Sequence, residues 1–305
     1  MVFEFFRLRF MFQAVEPVRF PSEPAGNTIR GALGYALRRV ACSCGAGTHQ
    51  EHCPYASIFE PRDLSSRGPS GFAELPRPFV LRTRHLDGRT FQPREAFCFD
   101  LHLFEVRRPW LSHFGEAFSR IASEGIGIAH GRANLVTVEQ LDTGDRVLGA
   151  VWNGNRCSSP FAPASVALAA ADGEEALVHI QFLTPTELKI AGGLARRPDF
   201  AVLFARVRDR ISMLQALYGS GPMDVDFRSL GDRAAQVEMT GCKVEAVRSE
   251  RRSSRTGQTH PLGGFTGEAE YRGRVSEFLP YLRAARWTGV GRQTVWGKGE
   301  IAIAS

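Results

Sequence analysis

The first residues of the chain alternate between apolar and polar side chains. Strict alternation is typical of a strand that is buried on one face. The pattern therefore predicts a half-buried strand over residues 2–13. One face carries the apolar residues Phe6, Leu8, Phe10 and Phe12. The other face carries the polar residues Arg7, Arg9 and Gln13.

The period then changes to that of a helix in "NTIRGALGYALRRVA", residues 27–41. Asn27 and Thr28 are suitable cap residues, and apolar side chains follow at three- and four-residue spacing. Patterns farther along the first half predict strands at 77–83 and 95–106, a helix from Pro109 to about Ser123, and strands at 134–140 and 146–152. The order is β-α-β-β-α-β.

The same order recurs after a link rich in alanine, serine and proline, residues 158–173. Two βαββαβ units in tandem predict an α+β protein of two ferredoxin-like domains, over residues 1–157 and 174–305. The alternative is one α+β domain in which the recurrence is accidental. The second unit begins with a strand ended by Pro185 and a helix capped by Asp199 and closed by Gly219. Strands at 236–248 and 264–272 follow, then a short helix that Pro280 interrupts or marks with a break, and a last strand in "GEIAIA".

Composition narrows the class of protein. The 305 residues are 43% hydrophobic and carry a net charge of +6. Nearly all of the positively charged side chains are arginines. Such a balance fits a polyanionic partner, although arginine faces are also commonly just solvated. The apolar start is interrupted by charged residues and no later run is long enough to span a membrane, so we predict a cytoplasmic protein without a membrane segment.

The segment "WTGVGRQTVWGKGEI", residues 287–301, concentrates glycine between the last predicted helix and the last strand. Glycine lets a loop press its backbone against a ligand, and successive N–H groups can hold phosphate oxygens. The alternative is a tight helix-to-strand turn, and the context excludes a dinucleotide-binding loop. The residues concerned are Gly289, Gly291, Gly297 and Gly299, with Arg292 and Lys298 adding positive charge.

This G-x-G-x5-G-x-G pattern resembles the C-terminal glycine-rich loop of the RAMP superfamily of CRISPR-associated RNA-binding proteins. Further segments resemble, in order, the precursor-RNA-processing endoribonucleases of that superfamily. The resemblance covers both halves of the chain and implies two ferredoxin-like domains that bind CRISPR repeat RNA and cut the precursor into guide units. The segments are "NTIRGALGYALRR", "HCPYASIFEP", "LPRPFVLR", "FLTPTELK" and "GGFTGEAEYRG".

The resemblance also implies a reaction. In that family the RNA's own 2′-OH attacks the adjacent phosphorus, leaving a 2′,3′-cyclic phosphate and a 5′-OH without a metal ion. A histidine at or after the end of the first helix commonly transfers the proton. That region here offers His49 and His52, of which we favour His49. A non-catalytic RAMP subunit that holds guide RNA in an effector complex is the alternative.

Three cysteines share this region with the histidines. Cys42, Cys44 and Cys53 could form a Cys3His zinc site with one of them. The C-x-C spacing suits tetrahedral zinc less well than C-x2-C, so ordinary thiols are the favoured alternative.

The first predicted helix also carries Arg30, Gly34 and Arg38 at four-residue spacing on the side away from the apolar stripe. The glycine indicates close packing against this side, either by RNA or by the partner domain's sheet. The two arginines are candidates for transition-state stabilisation.

A basic run, "VRSERRSSRTGQTH", lies between the two middle strands of the second unit and predicts a hairpin tip. Its arginines suit contacts to an RNA backbone, with a solvated loop as the alternative. They are Arg248, Arg251, Arg252 and Arg255. Trp287 and Trp296, beside the glycines, could stack on a base, but burial is favoured.

Overall fold

Two antiparallel sheets, one from each half of the chain, form the framework of the protein in this computed structural model. The structure describes residues 1–22, 24–45, 49–50, 52–61, 75–154, 156–169, 176–247, 250–252, 259–261 and 263–304, with only the backbone at 250–252 and 259–261. The helices are α1 (Ala25–Ala41), α2 (Pro54–Phe59), α3 (Leu111–Glu124), α4 (Phe200–Tyr218), α5 (Phe227–Ala234) and α6 (Leu279–Thr288). Single 3-10 turns span Arg84–Leu86 and Thr294–Trp296.

The strands follow the order expected for two units. In the first half they are β1 (Val2–Ala14), β2 (Val18–Arg19), β3 (Phe79–Arg82), β4 (Thr90–Phe91), β5 (Ala96–Leu103), β6 (Ala133–Leu141), β7 (Val147–Asn153), β8 (Arg156–Cys157) and β9 (Ala164–Ala167). In the second half they are β10 (Leu177–Thr186), β11 (Lys189–Ile190), β12 (Gly193–Leu194), β13 (Glu238–Val247), β14 (Glu250–Arg252), β15 (Thr259–Pro261), β16 (Gly264–Arg272) and β17 (Ile301–Ala304).

The first sheet has the order β3-β5-β1-β6-β7-β8. Its first four strands are antiparallel and, with α1 and α3, make a βαββαβ unit. Phenylalanines from β1 and β5 fill the space beneath α3: the Phe10 ring lies 4.6 Å from that of Phe118 and 5.6 Å from that of Phe99. The alternation along the first strand marks a buried aromatic face, as predicted, but the opposite face is also buried at Phe3, Phe5 and Arg7, so only the end of β1 is half-buried.

The second sheet repeats the arrangement in the order β13-β16-β10-β17. Rings from α4, from α6 and from the N-cap of α6 pack together beside it, with Phe204 4.6 Å from Phe278 and 5.6 Å from Tyr281. The predicted α+β class with two tandem ferredoxin-like domains is confirmed.

Three local predictions need correction. Pro280 is the second residue of α6 and does not interrupt it, because its missing N–H is not needed in the first turn. Pro185 lies inside β10, where the pairing with β16 is irregular, so it does not end the strand. The link at 158–173 contains β9, which pairs with the first residues of β1.

Strand β1 belongs to both halves of the molecule. Its first phenylalanines, Phe3 and Phe5, are buried in the second hydrophobic core with Phe104, whereas Phe10 lies in the first. The domain limits at residues 157 and 174 stay a prediction, since the start of β1 packs across them.

Candidate functional site

The glycine-rich loop, defined here as residues 289–299, joins α6 to β17. All four of its glycines have φ between +69° and +81°, the left-handed region in which L side chains are strained. Gly289 is the C-cap of α6 and donates its N–H to the carbonyl of Ala285 at 2.8 Å. The first glycine therefore ends the helix, as glycine commonly does.

Close contacts inside the protein explain two of the other glycines. A Cβ on Gly291 would lie 2.2 Å from the carbonyl oxygen of Glu187, and one on Gly299 would lie 2.0 Å from that of Val290. Gly297 is different, since its nearest neighbour would be Thr83 Oγ1 at 3.5 Å. Bare backbone is required mainly because the loop folds against its own protein.

The N–H groups of three of the glycines are also engaged. Gly289, Gly297 and Gly299 donate to the carbonyls of Ala285, Thr294 and Pro185. The expectation that these particular groups are available for phosphate oxygens is wrong. Contact between RNA and the rest of the loop stays a prediction.

The two loop cations occupy opposite environments. Lys298 is 1% exposed, and its Nζ donates to Glu187 Oε1 at 2.8 Å, to Gln293 Oε1 at 2.8 Å and to the carbonyl of Gly263 at 2.6 Å. Burial lowers the pKa of Lys298, whereas the hydrogen bond that Lys298 donates to Glu187 acts to raise this pKa. Its charge therefore stabilises the loop from inside, which corrects its expected role at an RNA surface. Arg292 is 53% exposed and pairs with the same carboxylate, its Nη1 lying 3.5 Å from Glu187 Oε2, so its charge faces both Glu187 and solvent.

The last carbonyls of α6 form a junction between the two halves that the sequence did not reveal. Arg82 of β3 donates to the carbonyls of Arg286 and Trp287, and Arg210 of α4 donates to that of Thr288. A helix C-terminus carries partial negative charge, which favours cations there. Burial lowers the pKa of Arg82, and that of Arg210 to about 9. These arginines lie in ordinary strand and helix patterns, so no sequence motif marks them.

His102 of β5 completes this junction, with Nδ1 2.9 Å from the carbonyl of Trp287. Burial holds the pKa of His102 well below its usual range, and the positive charge of Arg82 lowers it further. The ring is therefore neutral and donates Nδ1–H to the carbonyl. Trp287 itself is buried 5.3 Å from Phe5, so burial of this tryptophan is confirmed.

Helix α1 faces the glycine-rich loop with its N-terminal half. The guanidinium of Arg30 lies 4.6 Å from the ring of Phe59 and 5.4 Å from that of Trp296, which is half-buried. A Cβ on Gly34 would lie 2.5 Å from Phe59, so the close packing predicted at this glycine is provided by α2 and not by the partner domain's sheet. Arg38 is exposed one turn beyond, so the two candidate arginines have different surroundings.

Four metal-binding side chains converge just after α1. The ligand atoms of Cys42, Cys44, His49 and Cys53, here called the Cys3His cluster, all lie within 4.8 Å of one another. The N–H of Gln50 donates to Cys44 Sγ and is the main cause that lowers the pKa of this thiol to about 7. The predicted set of three cysteines and one histidine is therefore brought together.

The two candidate histidines lie in opposite surroundings. His49 is the histidine of the cluster, and its side chain is 8% exposed. His52 is exposed and lies outside the cluster.

The predicted basic hairpin is present as backbone. Strands β14 and β15 pair antiparallel, with Arg251 opposite His260. Arg248 and Arg255 lie outside the described residues, as do the side chains of Arg251 and Arg252. Their contacts with RNA stay a prediction.

Comparisons with known families identify the chain. Residues 3–162 match a family of N-terminal domains described as AF_1859_N, and residues 180–301 match the family described as CRISPR-associated endoribonuclease Cas6. Residues 180–301 are therefore a Cas6-type endoribonuclease domain. The predicted enzyme class is confirmed: as a Cas6-type protein it processes precursor CRISPR RNA and has CRISPR repeat RNA as its partner. No curated protein matches the sequence significantly.

Solved structures of Cas6 proteins share the fold along the whole chain. A Cas6 product complex matches with a TM-score of 0.56 at 16% identity, covering 99% of this chain and 100% of that one. Thermus thermophilus Cas6 matches with a TM-score of 0.52 at 17% identity, covering 99% and 98%. A partial Cas6-RT-Cas1–Cas2 complex matches with a TM-score of 0.56 at 11% identity, covering 99% and 46%.

The described part of the chain has no helix with the length and apolar character needed to cross a membrane. The cytoplasmic location stays a prediction.

Proposed function

We propose that this Cas6-type protein cuts CRISPR repeat RNA by attack of the RNA's 2′-OH on the adjacent phosphorus, with no metal ion in the chemical step. The bond to the 5′-oxygen breaks, so the products carry a 2′,3′-cyclic phosphate and a 5′-OH. The reaction needs one group that accepts the 2′-OH proton, one that protonates the leaving oxygen, and positive charge near the phosphorane.

The observation that carries the assignment of residues is the contrast between His49 and His52. His49 has Nδ1 3.3 Å from Cys42 Sγ and 3.6 Å from Cys53 Sγ, and its Nε2 is 3.8 Å from Glu60 Oε2. Both ring nitrogens thus face protein groups. His52 is exposed immediately beside the cluster. We therefore assign proton transfer to His52, although the sequence alone favoured His49.

Arg38 supplies the charge near the phosphorane in this proposal, because it is exposed in the last turn of α1, just before the cluster. Arg292 of the glycine-rich loop lies toward the other end of this helix and is assigned to contact with the RNA backbone away from the cut. Arg30 is held between aromatic rings of α2 and the loop, which suits it to position these elements. The arginines of the β14–β15 hairpin extend the proposed RNA surface.

The proposal includes two further points. Zinc at the Cys3His cluster would be a structural ion and take no part in cleavage. A similar fold occurs in a Cas6-RT-Cas1–Cas2 complex, which supports assembly of this chain with other CRISPR subunits.

Single-turnover cleavage of repeat RNA tests the reaction. We expect cutting to continue in EDTA, a single 2′-deoxy substitution on the 5′ side of the cut to abolish it, and the products to carry cyclic phosphate. Zinc content is measured after the reaction, so that loss of a structural ion is not mistaken for loss of a catalytic one. Cleavage of the 2′-deoxy RNA would contradict the mechanism, and binding without any cutting would favour a scaffold subunit.

The His52→Ala variant tests the residue assignment. Loss of a general acid or base slows such reactions about 10²–10⁴-fold, with little change in RNA affinity. His179→Ala is the matched control, because this histidine lies on the second sheet beside Glu268, at 3.3 Å. Cleavage by His52→Ala at the parent rate would remove His52 from the chemistry.

A further inference from the structure

In the Cys3His cluster, two ligand-to-ligand distances match the edges of a tetrahedral metal site, and all four ligand atoms lie within 4.8 Å of one another. Zinc lies about 2.3 Å from thiolate sulfur and about 2.0–2.1 Å from imidazole nitrogen, so a tetrahedron of these ligands has sulfur–nitrogen edges of about 3.6 Å. The distances from His49 Nδ1 are 3.3 Å to Cys42 Sγ and 3.6 Å to Cys53 Sγ. Ordinary packing of thiols does not require four ligand atoms to converge in this way.

The backbone explains why the unusual C-x-C spacing works here. Cys42 is the C-cap of α1 and has extended dihedral angles, φ −108° and ψ 114°. In extended backbone, residues i and i+2 lie on the same side of the chain. Cys42 and Cys44 can therefore direct both thiols to one point, although their spacing argued against zinc when considered alone.

A carboxylate lies behind the histidine, on the side away from the thiols. The Nε2 atom of His49 lies 3.8 Å from Glu60 Oε2, and the hydroxyl of Tyr55 donates to the other oxygen of Glu60 at 3.0 Å. The rings of His49 and Tyr55 lie 5.1 Å apart. A carboxylate behind the non-ligating nitrogen is the usual arrangement at zinc-bound histidine, because it fixes the tautomer and the orientation of the ring.

One backbone N–H also donates to a sulfur of the cluster. The N–H of Gln50 donates to Cys44 Sγ at 3.3 Å. Such hydrogen bonds favour the charged form of sulfur, which is the form that binds a metal.

We propose that Cys42, Cys44, His49 through Nδ1, and Cys53 bind one structural zinc ion, with Glu60 and Tyr55 as the positioning residues behind His49. With four protein ligands the site is closed, as structural zinc sites are. Zinc joins the end of α1 to the start of α2, and Phe59 of α2 then packs on Gly34 and Arg30 of α1. The inference does not depend on the proposed cleavage chemistry, because its test contains no RNA.

Metal analysis of the full-length protein, purified without chelators, tests this site. We expect one zinc per chain, and we expect Co²⁺ added to the metal-free protein to give the absorption of a tetrahedral thiolate complex. Cys44→Ser and His49→Ala should lose the metal. His52→Ala and Cys157→Ser are matched controls outside the cluster and should keep it.

Glu60→Gln tests the positioning role, since it keeps all four ligands. Loss of such a partner weakens metal binding about 10–100-fold. A parent protein that contains no zinc and gives no tetrahedral Co²⁺ spectrum would overturn the inference, and this measurement needs no variant to fold. Zinc retained by His49→Ala but lost from His52→Ala would overturn the ligand assignment, and unchanged zinc affinity in Glu60→Gln would overturn the role of Glu60.

Discussion

The glycine-rich loop and the Cys3His cluster lie at opposite ends of α1 and are held by different means. The loop is completed by the chain itself: its glycines permit contact with the Glu187 carbonyl, and buried Lys298 is satisfied by three protein oxygens. The cluster instead brings together three thiols and an imidazole, and we infer that an ion completes it. The stability of the loop should therefore depend on individual contacts within the protein, whereas the order of the cluster should depend on bound metal.

Arg30 lies between the loop and the helix that follows the cluster. Its guanidinium lies over Phe59 of α2, which begins after Cys53, and over Trp296 of the loop. Arg30 therefore contacts the loop directly and the cluster only through α2, so a change in α2 or in the loop should alter the surroundings of this side chain.

The largest expected effect comes from the ion pair inside the loop. Glu187→Ala leaves the charge of Lys298 buried without its carboxylate, and breaking a buried pair in this way costs about 3–5 kcal/mol. Urea unfolding measures the loss. Lys243→Ala is the control: it removes a lysine that is 85% exposed and lies 3.4 Å from Glu268, and it should change stability far less. Equal effects of the two variants would mean that the loop does not depend on its buried pair.

A smaller effect separates two glycines of the loop. Alanine at either position is forced into left-handed backbone, at a cost of about 1–2 kcal/mol. At Gly291 the new Cβ also meets the Glu187 carbonyl at 2.2 Å, whereas at Gly297 it has room. We expect Gly291→Ala to lower the unfolding midpoint more than Gly297→Ala. The reverse order would show that internal packing does not explain the glycines.

Gly297→Ala is also the sharper test of RNA contact at the loop. A Cβ at Gly297 does not collide with the protein. If the variant is folded and binds repeat RNA more weakly, the weaker binding would therefore indicate that RNA contacts the loop, and not that the loop has collapsed. Parent affinity in that variant would indicate that RNA does not approach this backbone.

The smallest effect is expected at Arg30. Arg30→Ala removes cation–π contacts with Phe59 and Trp296. Such a contact contributes about 0.5–1 kcal/mol when it is exposed to solvent. Arg38→Ala, on the exposed part of the same helix, should leave the unfolding midpoint unchanged. Thermal unfolding compares the two variants. A parent-like midpoint for Arg30→Ala would show that this residue does not couple the two regions.

Periodicity predicted the main strands of both sheets, although not the short β8 and β9 of the first. The alternating phenylalanines of β1 and the stripe of α1 succeeded because each is a local pattern with one buried face. Prolines were less informative: Pro185 and Pro280 mark a boundary only approximately, since an irregular strand or a first helical turn accommodates them. The ligands of the Cys3His cluster could also be listed from the sequence, because all four lie in one short segment of the chain.

What the sequence determined is therefore what adjacent residues encode: strand and helix patterns, the family motifs and the set of ligand candidates. Tertiary structure decided which partners those residues meet. It placed Lys298 against Glu187, 111 positions away, Arg82 on the end of α6 and Phe59 over Gly34. It also separated His49 from His52, three residues apart, by turning one toward thiols and leaving the other exposed. Burial and charge compensation act between elements that are distant in the chain, so no local pattern specifies them.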